Sequence, residues 1–275
     1  MIIDFTVENW LSIKDSQTLS LVAQPPYDNH SNHIIDTPDD KIKLLKSIVI
    51  YGANASGKSN LLFALDYVKH LVTNSNKNSV DEKLSVVPFL LDKESRNSPT
   101  SFELNFFCQN IRYSYSLSFD NEKIYFESLS SYPKKHKRNV FTRVLVEEEY
   151  EYKFGSDLKP QRLYEDISKK TLKNVLFLSK SVNDNSQELM PVYKWFSENL
   201  SEEDSINDVA KKVHSDEAYK SNLIQFLTQQ DINIIDLDIT EKNIAEEIFN
   251  NKNIPAEIKE RIIEENKNNF LYKIK

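Results

Sequence analysis

The chain of 275 residues carries 35 basic and 42 acidic side chains, a formal net charge of −7, and 39% of its residues are hydrophobic. This length suits one large or two modest domains with a packed core, and the acidic balance argues against a protein that coats nucleic acid through its overall charge. Only three glycines and one cysteine, Cys108, are present. A disulfide within the chain, a thiolate zinc cage and a three-glycine dinucleotide fingerprint are therefore excluded, and we expect Cys108 to be a small buried hydrophobe.

The composition also predicts where the chain works. No run approaches the roughly 18 apolar residues of a membrane span, and the first segment, MIIDFTVENW, is acidic and alternating, unlike a signal peptide. A single cysteine suits a reducing compartment. We therefore expect a cytoplasmic chain with no membrane contact.

The first third of the chain predicts a strand-loop-helix unit. Residues 2–23 alternate apolar and polar side chains, which predicts a hairpin of two strands. A polar loop follows, and then the continuous apolar run at 47–51, Ser-Ile-Val-Ile-Tyr, which is typical of a strand buried on both faces. Leucines and valines at helical spacing predict a long helix from Lys58 to about Thr73.

The middle of the chain predicts strands and its end predicts helices. Between residues 101 and 154 the apolar period falls to two, which predicts an antiparallel meander with turns near Gln109–Asn110 and Asp120–Asn121. A short strand is predicted at Leu176–Ser179. The helices predicted after it span residues 186–200, 204–230, 241–252 and 256–269. We therefore expect an N-terminal lobe at residues 1–185 and a helical arm at residues 186–275.

Residues 52–59 carry the clearest chemical signal. They read Gly-Ala-Asn-Ala-Ser-Gly-Lys-Ser, a full match to the phosphate-binding loop pattern G-x-x-x-x-G-K-[ST]. Glycines let such a loop curl tightly, so that backbone N–H groups and the helix N-terminus point at phosphate oxygens. Lys58 is the predicted catalytic residue because it reaches the β- and γ-phosphates, and Ser59 would offer its hydroxyl to Mg²⁺. The predicted nucleotide-binding residues of the loop are Gly52, Ala53, Asn54, Ala55, Ser56, Gly57, Lys58 and Ser59.

Two segments narrow the class of phosphate-loop protein. The run GANASGKSNLL, which contains Asn54 and Asn60, resembles the loop of ABC-type ATPase heads of the SMC, RecF and OLD kind. The segment Glu8-Asn9-Trp10-Leu11-Ser12, followed by Leu19-Ser20-Leu21, is similar to the opening of those heads, with Trp10 in place of their phenylalanine. The order of elements is also similar to the AAA-family ATPases of bacterial anti-phage and abortive-infection systems. The resemblance covers residues 1 to about 200.

The resemblance implies a fold, ligands and partners. The fold would be an α/β P-loop NTPase lobe with an antiparallel β subdomain, followed by a helical arm. The ligands would be ATP and Mg²⁺, with Lys14 and Asn60 beside the nucleotide. The heads would form a homo-oligomer by facing each other across ATP, and they would act with a partner effector, a nuclease or a toxin, and with DNA as a further candidate partner.

Three motifs of such ATPases are missing from this sequence. A signature loop needs Ser-x-Gly, but the last glycine, Gly155, follows Lys153-Phe154. The nearest imitation of a Walker B strand ends at Asp236, where Leu237 stands in place of the second acid. A switch histidine is also lacking, and Gln187 is the candidate for the glutamine that senses the γ-phosphate. The sequence thus predicts the N-terminal lobe of a larger ATPase that lacks its C-terminal lobe.

Smaller signals have a functional and a structural interpretation. His30 and His33 have the spacing of half a metal site, but their polar neighbours favour a solvated loop. The basic run at 134–138 could contact a nucleic-acid backbone, although a solvated turn is favoured. The acidic run at 147–149, with Glu151, is interpreted as an exposed strand edge kept soluble by charge.

Other phosphate-loop functions compete with the ATPase hypothesis. A GTPase needs Asp-x-x-Gly and Asn-Lys-x-Asp, and both are missing. A small-molecule kinase would need a lid with arginines near the phosphates, for which the predicted meander is an untypical insertion. A non-catalytic interaction subunit, whose loop binds ATP only to order a partner interface, also fits the missing motifs.

Overall fold

The structure is a computed structural model that describes residues 1–26, 31–200, 206–229, 236–243 and 270–274. The chain divides into two units, Met1–Ser201 and Glu202–Lys275. The boundary expected from the sequence, after residue 185, therefore falls inside the first unit.

The first unit contains a seven-stranded antiparallel sheet with strand order β2-β1-β5-β6-β7-β8-β9. Four helices pack their apolar side chains against it, and a small hairpin, β3–β4, joins a second cluster around Leu44 and Phe107. The strands are β1 (Ile2–Glu8), β2 (Gln17–Ser20), β3 (Ile34–Asp36), β4 (Lys43–Leu45), β5 (Thr100–Cys108), β6 (Ile111–Phe119), β7 (Ile124–Tyr132), β8 (Arg138–Val146) and β9 (Glu149–Phe154). The helices are α1 (Lys58–Asn74), α2 (Gln161–Ser168), α3 (Phe177–Asn183) and α4 (Met190–Asn199).

The predicted opening hairpin and meander are confirmed. Strands β1 and β2 pair antiparallel, and β5 to β9 pair in chain order. Along β5 the side chains of Phe102, Leu104 and Phe106 are buried while Glu103 is exposed, which is the period of two that the sequence carries. The buried thiol side chain of Cys108 ends this strand, as expected.

Helix α1 is confirmed at almost the predicted bounds. Its buried face presents Ala64, Val68, Leu71 and Val72 to the core, the spacing of three and four residues that makes one stripe of a helix. The ring of Trp10 stacks on Tyr67 of this helix, with ring centroids 5.1 Å apart. The helix is therefore fixed to the end of β1 as well as to the core.

The strand predicted at residues 47–51 is wrong for this structure. The segment has no strand geometry, and the side chains of Val49 and Tyr51 are 70% and 88% exposed. A strand buried on both faces needs neighbouring strands for its N–H and C=O groups, and within the described residues no strand pairs with this one. The apolar run has the composition of a central strand without the sheet that would bury it.

The strand predicted at Leu176–Ser179 is also wrong, because helix α3 begins at Phe177. A short apolar run buried all round does not distinguish a strand from a helix. Here the buried carboxylate of Glu127 favours the helix, because its oxygens accept the backbone N–H groups of Phe177 at 2.6 Å and Leu178 at 3.0 Å. These are first-turn N–H groups that have no partner inside the helix.

The described part of the second unit contains two helices and two strands, namely α5 (Ile206–Ser215), α6 (Glu217–Gln229), β10 (Ile239–Asn243) and β11 (Phe270–Ile274). The single helix predicted over 204–230 is interrupted at Asp216, whose carboxylate accepts the N–H of Tyr219 as an N-cap at 3.0 Å. The helix predicted over 241–252 is wrong at its start, because 239–243 pair with 270–274. The rest of that helix and the one at 256–269 lie outside the described residues.

Gly155, which directly follows β9, occupies a position with no space for a side chain. A Cβ at this position would lie 1.9 Å from the carbonyl oxygen of Asn139. We expect Gly155→Ala to force the backbones of β8 and β9 apart and to lower the free energy of unfolding by about 1–3 kcal/mol. Urea denaturation measures this, with Gly52→Ala as control, because the Cβ there meets only the hydroxyl end of Ser56, at 2.9 Å. Equal midpoints for the two variants would contradict the prediction.

Candidate nucleotide-binding site

The phosphate loop connects segment 47–51 to helix α1. Ala55 and Gly57 have left-handed backbone angles, φ 62° and φ 92°, and such turns aim successive N–H groups into a concavity that suits an anion. Gly57 is also the N-cap of α1, and no described side chain caps this helix end. The first N–H groups of a 17-residue helix are thus available to a phosphate oxygen.

The ammonium group of Lys58 lies over the loop. Its Nζ donates to the carbonyl oxygens of Gly52 at 2.9 Å and Ala53 at 2.7 Å, and to the hydroxyl of Ser56 at 3.4 Å. A lysine ammonium has three donors and no acceptor, so these bonds use all of them. The positive charge is held at the concavity where the sequence predicts the β- and γ-phosphates.

Ser59 is the predicted Mg²⁺ ligand, and its side chain is exposed on the first turn of α1. The residues present fit a magnesium ion that comes with its nucleotide, because Mg²⁺ in phosphate sites takes few protein ligands and keeps several waters. No group of three or more His, Cys, Asp or Glu side chains that could hold a metal by itself exists among the described residues. Ser59 and the phosphate oxygens would therefore hold the ion together.

A cleft of about 480 Å³ opens beside the loop, a size typical of small-molecule sites. One wall is the loop and the start of α1, and the other is the connection between β1 and β2. The lining residues are Ser12, Ile13, Lys14, Asp15, Gln17, Ile50, Tyr51, Ser56, Gly57, Lys58, Leu61 and Phe89. The fold therefore brings Lys14 and Lys58, far apart in the sequence, to one cleft.

Lys14 is engaged by a protein carboxylate in this structure. Its Nζ lies 3.2 Å from the carboxylate of Asp92, and its side chain is 48% exposed. The backbone N–H of Ser95, then the Ser95 hydroxyl and Lys14, lower the pKa of Asp92 to about 2, so this carboxylate is ionised at neutral pH. A phosphate contact by Lys14 stays a prediction and would compete with Asp92.

Two sequence candidates for the chemistry are not among the residues that line the cleft. Gln187 is exposed, its amide donates to the carbonyl of Asn185 at 3.5 Å, and it does not line the cleft. Asp236 belongs to the second unit, where its carboxylate pairs with Lys220 at 2.8 Å. Residues 233–235 of the Walker B imitation lie outside the described residues.

The smaller signals are surface features. The basic run is a hairpin tip between β7 and β8, where Lys135 pairs with Asp39 at 3.0 Å. The acidic run forms the turn into β9, the last strand of the sheet, and Glu148 pairs with Lys123 at 2.9 Å. His33 ends a short 3-10 helix, and His30 lies outside the described residues.

The sequence interpretation missed how much of the site comes from the end of β1. The side-chain amide of Asn9 is buried and donates to the carbonyls of Ser95 and Ser98, both at 2.8 Å, while its oxygen accepts the N–H of Phe89 at 2.9 Å. This amide fixes the loop that carries Phe89 into the cleft. The sequence signal was the Asn-Trp-Leu-Ser run, used only as a mark of resemblance.

The mixed α/β fold and the loop at the start of α1 define a P-loop NTPase-like protein. Residues 47–253, most of the chain, match the family described as "AAA domain, putative AbiEii toxin, Type IV TA system". The chain belongs to this family, an AAA-family P-loop ATPase of the abortive-infection kind. Among curated proteins, none matches it. No described helix has the length and apolar character needed to span a membrane.

Proposed function

We propose that this chain is the ATP-binding lobe of an ABC-type ATPase, similar to the SMC, RecF and OLD heads. In this proposal it binds Mg-ATP at residues 52–60 and hydrolyses it only when a second, C-terminal lobe completes the site. One observation carries the proposal. The first unit has a packed core, but the apolar segment 47–51, which leads into the phosphate loop, is largely exposed.

Exposed apolar side chains flank the phosphate loop on both sides in the sequence. Val49 and Tyr51 precede it and are 70% and 88% exposed, while Leu62 and Phe63 of α1 follow it and are 47% and 56% exposed. A contiguous exposed apolar patch marks an interaction surface, and we propose that these four side chains belong to one. An apolar run followed by a helix is the building unit of a parallel sheet covered on both faces, and we propose that strands of the second lobe pair with residues 47–51.

In this proposal the chain's own residues bind and orient the triphosphate. The N–H groups of the loop and of the first turn of α1 donate to phosphate oxygens, and Lys58 exchanges the carbonyls of Gly52 and Ala53 for them. The Ser59 hydroxyl would hold Mg²⁺, which neutralises charge on the phosphates. Among the described residues that line the cleft, the one carboxylate belongs to Asp15, which is exposed, and we propose that the group that orients the attacking water comes from the second lobe.

The proposed assembly follows from the resemblance and from the family. Two heads would face each other across ATP, and the oligomer would act in the cytoplasm in a DNA-directed or anti-phage defence complex. A nuclease or toxin effector would be its partner. The abortive-infection character of the family supports the defence setting.

A non-catalytic interaction subunit is the second candidate function. The cleft lining fits it as well as the lobe proposal, because a phosphate loop to which no second lobe supplies a water-orienting group binds ATP but does not hydrolyse it. In this alternative ATP orders a partner surface and is never turned over. A small-molecule kinase would instead transfer the γ-phosphate to an acceptor, which a panel of acceptors with labelled ATP detects.

The test combines binding and turnover in the same preparation. We expect calorimetric titration to give one saturable ATP site in the presence of Mg²⁺, and phosphate release no faster than that of Lys58→Ala. Hydrolysis by this chain alone that Lys58→Ala abolishes would overturn the dependence on a second lobe. Absence of any ATP binding would overturn the nucleotide site itself.

A second observation separates the lobe from the interaction subunit. A Ser-x-Gly signature and a strand ending in Asp-Glu, encoded after Lys275 or by a neighbouring gene, support the lobe. Their absence from both places supports the interaction subunit.

A further inference from the structure

The tight turn at the end of β1, which we call the Trp10–Ile13 turn, contacts the phosphate loop directly. Its backbone closes on itself, with the N–H of Trp10 donating to the carbonyl of Ile13 at 2.9 Å and the N–H of Ile13 donating back at 2.8 Å. Leu11, inside the turn, has a left-handed φ of 51°, and its N–H donates to the carbonyl of Val87 at 2.9 Å. These bonds fix the turn to the body of the first unit.

Two side chains of this turn hold the first turn of α1. The indole N–H of Trp10 donates to the carbonyl of Asn60 at 3.0 Å, and the side-chain amide of Asn60 donates to the hydroxyl of Ser12 at 2.7 Å. Asn60 is therefore held through both its backbone and its side chain. Lys58 and Ser59 directly precede Asn60. These two hydrogen bonds therefore also position Lys58, predicted to bind the β- and γ-phosphates, and Ser59, predicted to bind Mg²⁺.

Ser12 also lies against the second glycine of the loop. A Cβ at Gly57 would be 2.7 Å from the Ser12 hydroxyl oxygen, so the serine occupies the space that any side chain at this position would need. The turn and the loop thus form two halves of one contact. Because glycine has no side chain, Gly57 allows both this contact with Ser12 and the left-handed φ of the loop.

We propose that Ser12 is a positioning residue for the phosphate loop, and that the shape of the loop around Gly57 is set by the Trp10–Ile13 turn. The inference rests on the proposed nucleotide site and adds a residue to it that the loop pattern does not include. Ser12 acts on the nucleotide through Asn60 and Gly57. Removing its hydroxyl leaves the chain folded but loosens the loop.

The scarcity of glycine makes the test direct. With ¹⁵N-labelled glycine, the chain gives three backbone amide signals, from Gly52, Gly57 and Gly155. The first two report on the loop and the third on the far edge of the sheet. Without nucleotide, we expect Ser12→Ala to shift or broaden the Gly57 signal and to leave Gly155 unchanged, and Ser12→Thr to restore the wild-type signal.

The second readout is nucleotide affinity. We expect Ser12→Ala to raise the dissociation constant of Mg-ATP about twofold to tenfold, the usual range for one hydrogen bond. The losses in Ser12→Ala and Asn60→Ala should be less than additive, because both variants remove the same hydrogen bond. The matched control is Thr18→Val, which removes the exposed hydroxyl pair between Thr6 and Thr18 (2.8 Å) in the same hairpin, and which we expect to change neither readout.

The outcomes separate this inference from the proposed function. An unchanged Gly57 signal in Ser12→Ala overturns the positioning role, even if the wild type binds ATP. Shifts of all three glycine signals would mean a general structural role and overturn it too. A wild type that binds no ATP overturns the proposed function, while the glycine spectra without nucleotide still decide the role of Ser12.

Discussion

Lys58→Ala should weaken Mg-ATP binding by roughly 10-fold to 150-fold, which corresponds to about 1.5–3 kcal/mol for a hydrogen-bonded charge. The structure gives the reason, since the ammonium lies over the loop on the carbonyls of Gly52 and Ala53. Its replacement would leave the β- and γ-phosphates of the proposed nucleotide without this ammonium group. Calorimetric titration with ATP and Mg²⁺ measures the change.

The control for this prediction is another lysine outside the cleft. Lys93 is exposed and does not line the cleft, and Lys93→Ala removes the same charge from the surface. We expect it to leave the affinity within about twofold of the wild type, because exposed charges contribute little at ordinary ionic strength. Equal losses in the two variants would mean that ATP responds to net charge, and Lys58 would have no specific role.

Lys58→Arg separates charge from shape at the same position. The guanidinium keeps the charge but is planar and larger than an ammonium, and it does not fit the three acceptors that hold Lys58. We therefore expect it to recover little of the lost affinity. Full recovery would indicate that a general positive potential at the loop is sufficient.

The sequence predicted elements whose signals are local. Helix α1 and the meander followed from periods of three to four and of two, and the phosphate loop followed from eight consecutive residues, 52–59. The sequence predicted only part of the cleft. The buried amide of Asn9 places Phe89 there, and the Trp10–Ile13 turn places Ser12. The contacts of Asn9 span 80 residues or more of chain and that of Ser12 with Asn60 spans 48, and such distant contacts leave no periodic signal.

The wrong predictions have a common cause in partners distant in the chain. Residues 47–51 have the composition of a central strand, and strand formation depends on neighbours that the described residues do not supply. Leu176–Ser179 has the composition of a buried strand and becomes the start of a helix because Glu127, on β7, accepts its N–H groups. At Leu176–Ser179 the apolar run predicts burial but not backbone conformation, and at 47–51 it predicts neither.

A buried ion pair, Glu127 on β7 and Arg143 on β8, is the second feature with a large expected effect. The two residues are register partners, both side chains have no exposed area, and their charged atoms lie 3.8 Å apart. The guanidinium donates to the carbonyls of Val175 at 2.6 Å and Leu172 at 3.0 Å. Glu127 accepts the N–H groups at the start of α3, and Arg143 binds carbonyls of the segment that precedes it. The ion pair therefore fixes this segment to the sheet.

Breaking this pair should destabilise the first unit strongly. We expect Glu127→Gln and Arg143→Met each to lower the free energy of unfolding by about 3–5 kcal/mol, because each leaves a buried charge without its partner. The double variant should lose less than the sum of the two. It should still fall below the wild type, since methionine cannot donate to the carbonyls of Leu172 and Val175, and the amide introduced by Glu127→Gln has one oxygen where the carboxylate uses two. Urea denaturation measures all four proteins.

The pH dependence of Arg143→Met tests the electrostatic origin of this effect. Burial raises the pKa of Glu127, and the Arg143 guanidinium opposes that rise, so the variant should have a higher Glu127 pKa than the wild type. A carboxyl whose pKa is raised by folding adds stability below its unfolded value, and this stability is lost as the pH rises through the folded value. We therefore expect the deficit of Arg143→Met to be smaller at pH 5 than at pH 8. In the Glu127→Gln background, which has no carboxyl to titrate at this position, the stability lost through Arg143→Met should be the same at both pH values, and a pH-dependent loss there would assign the effect to another group.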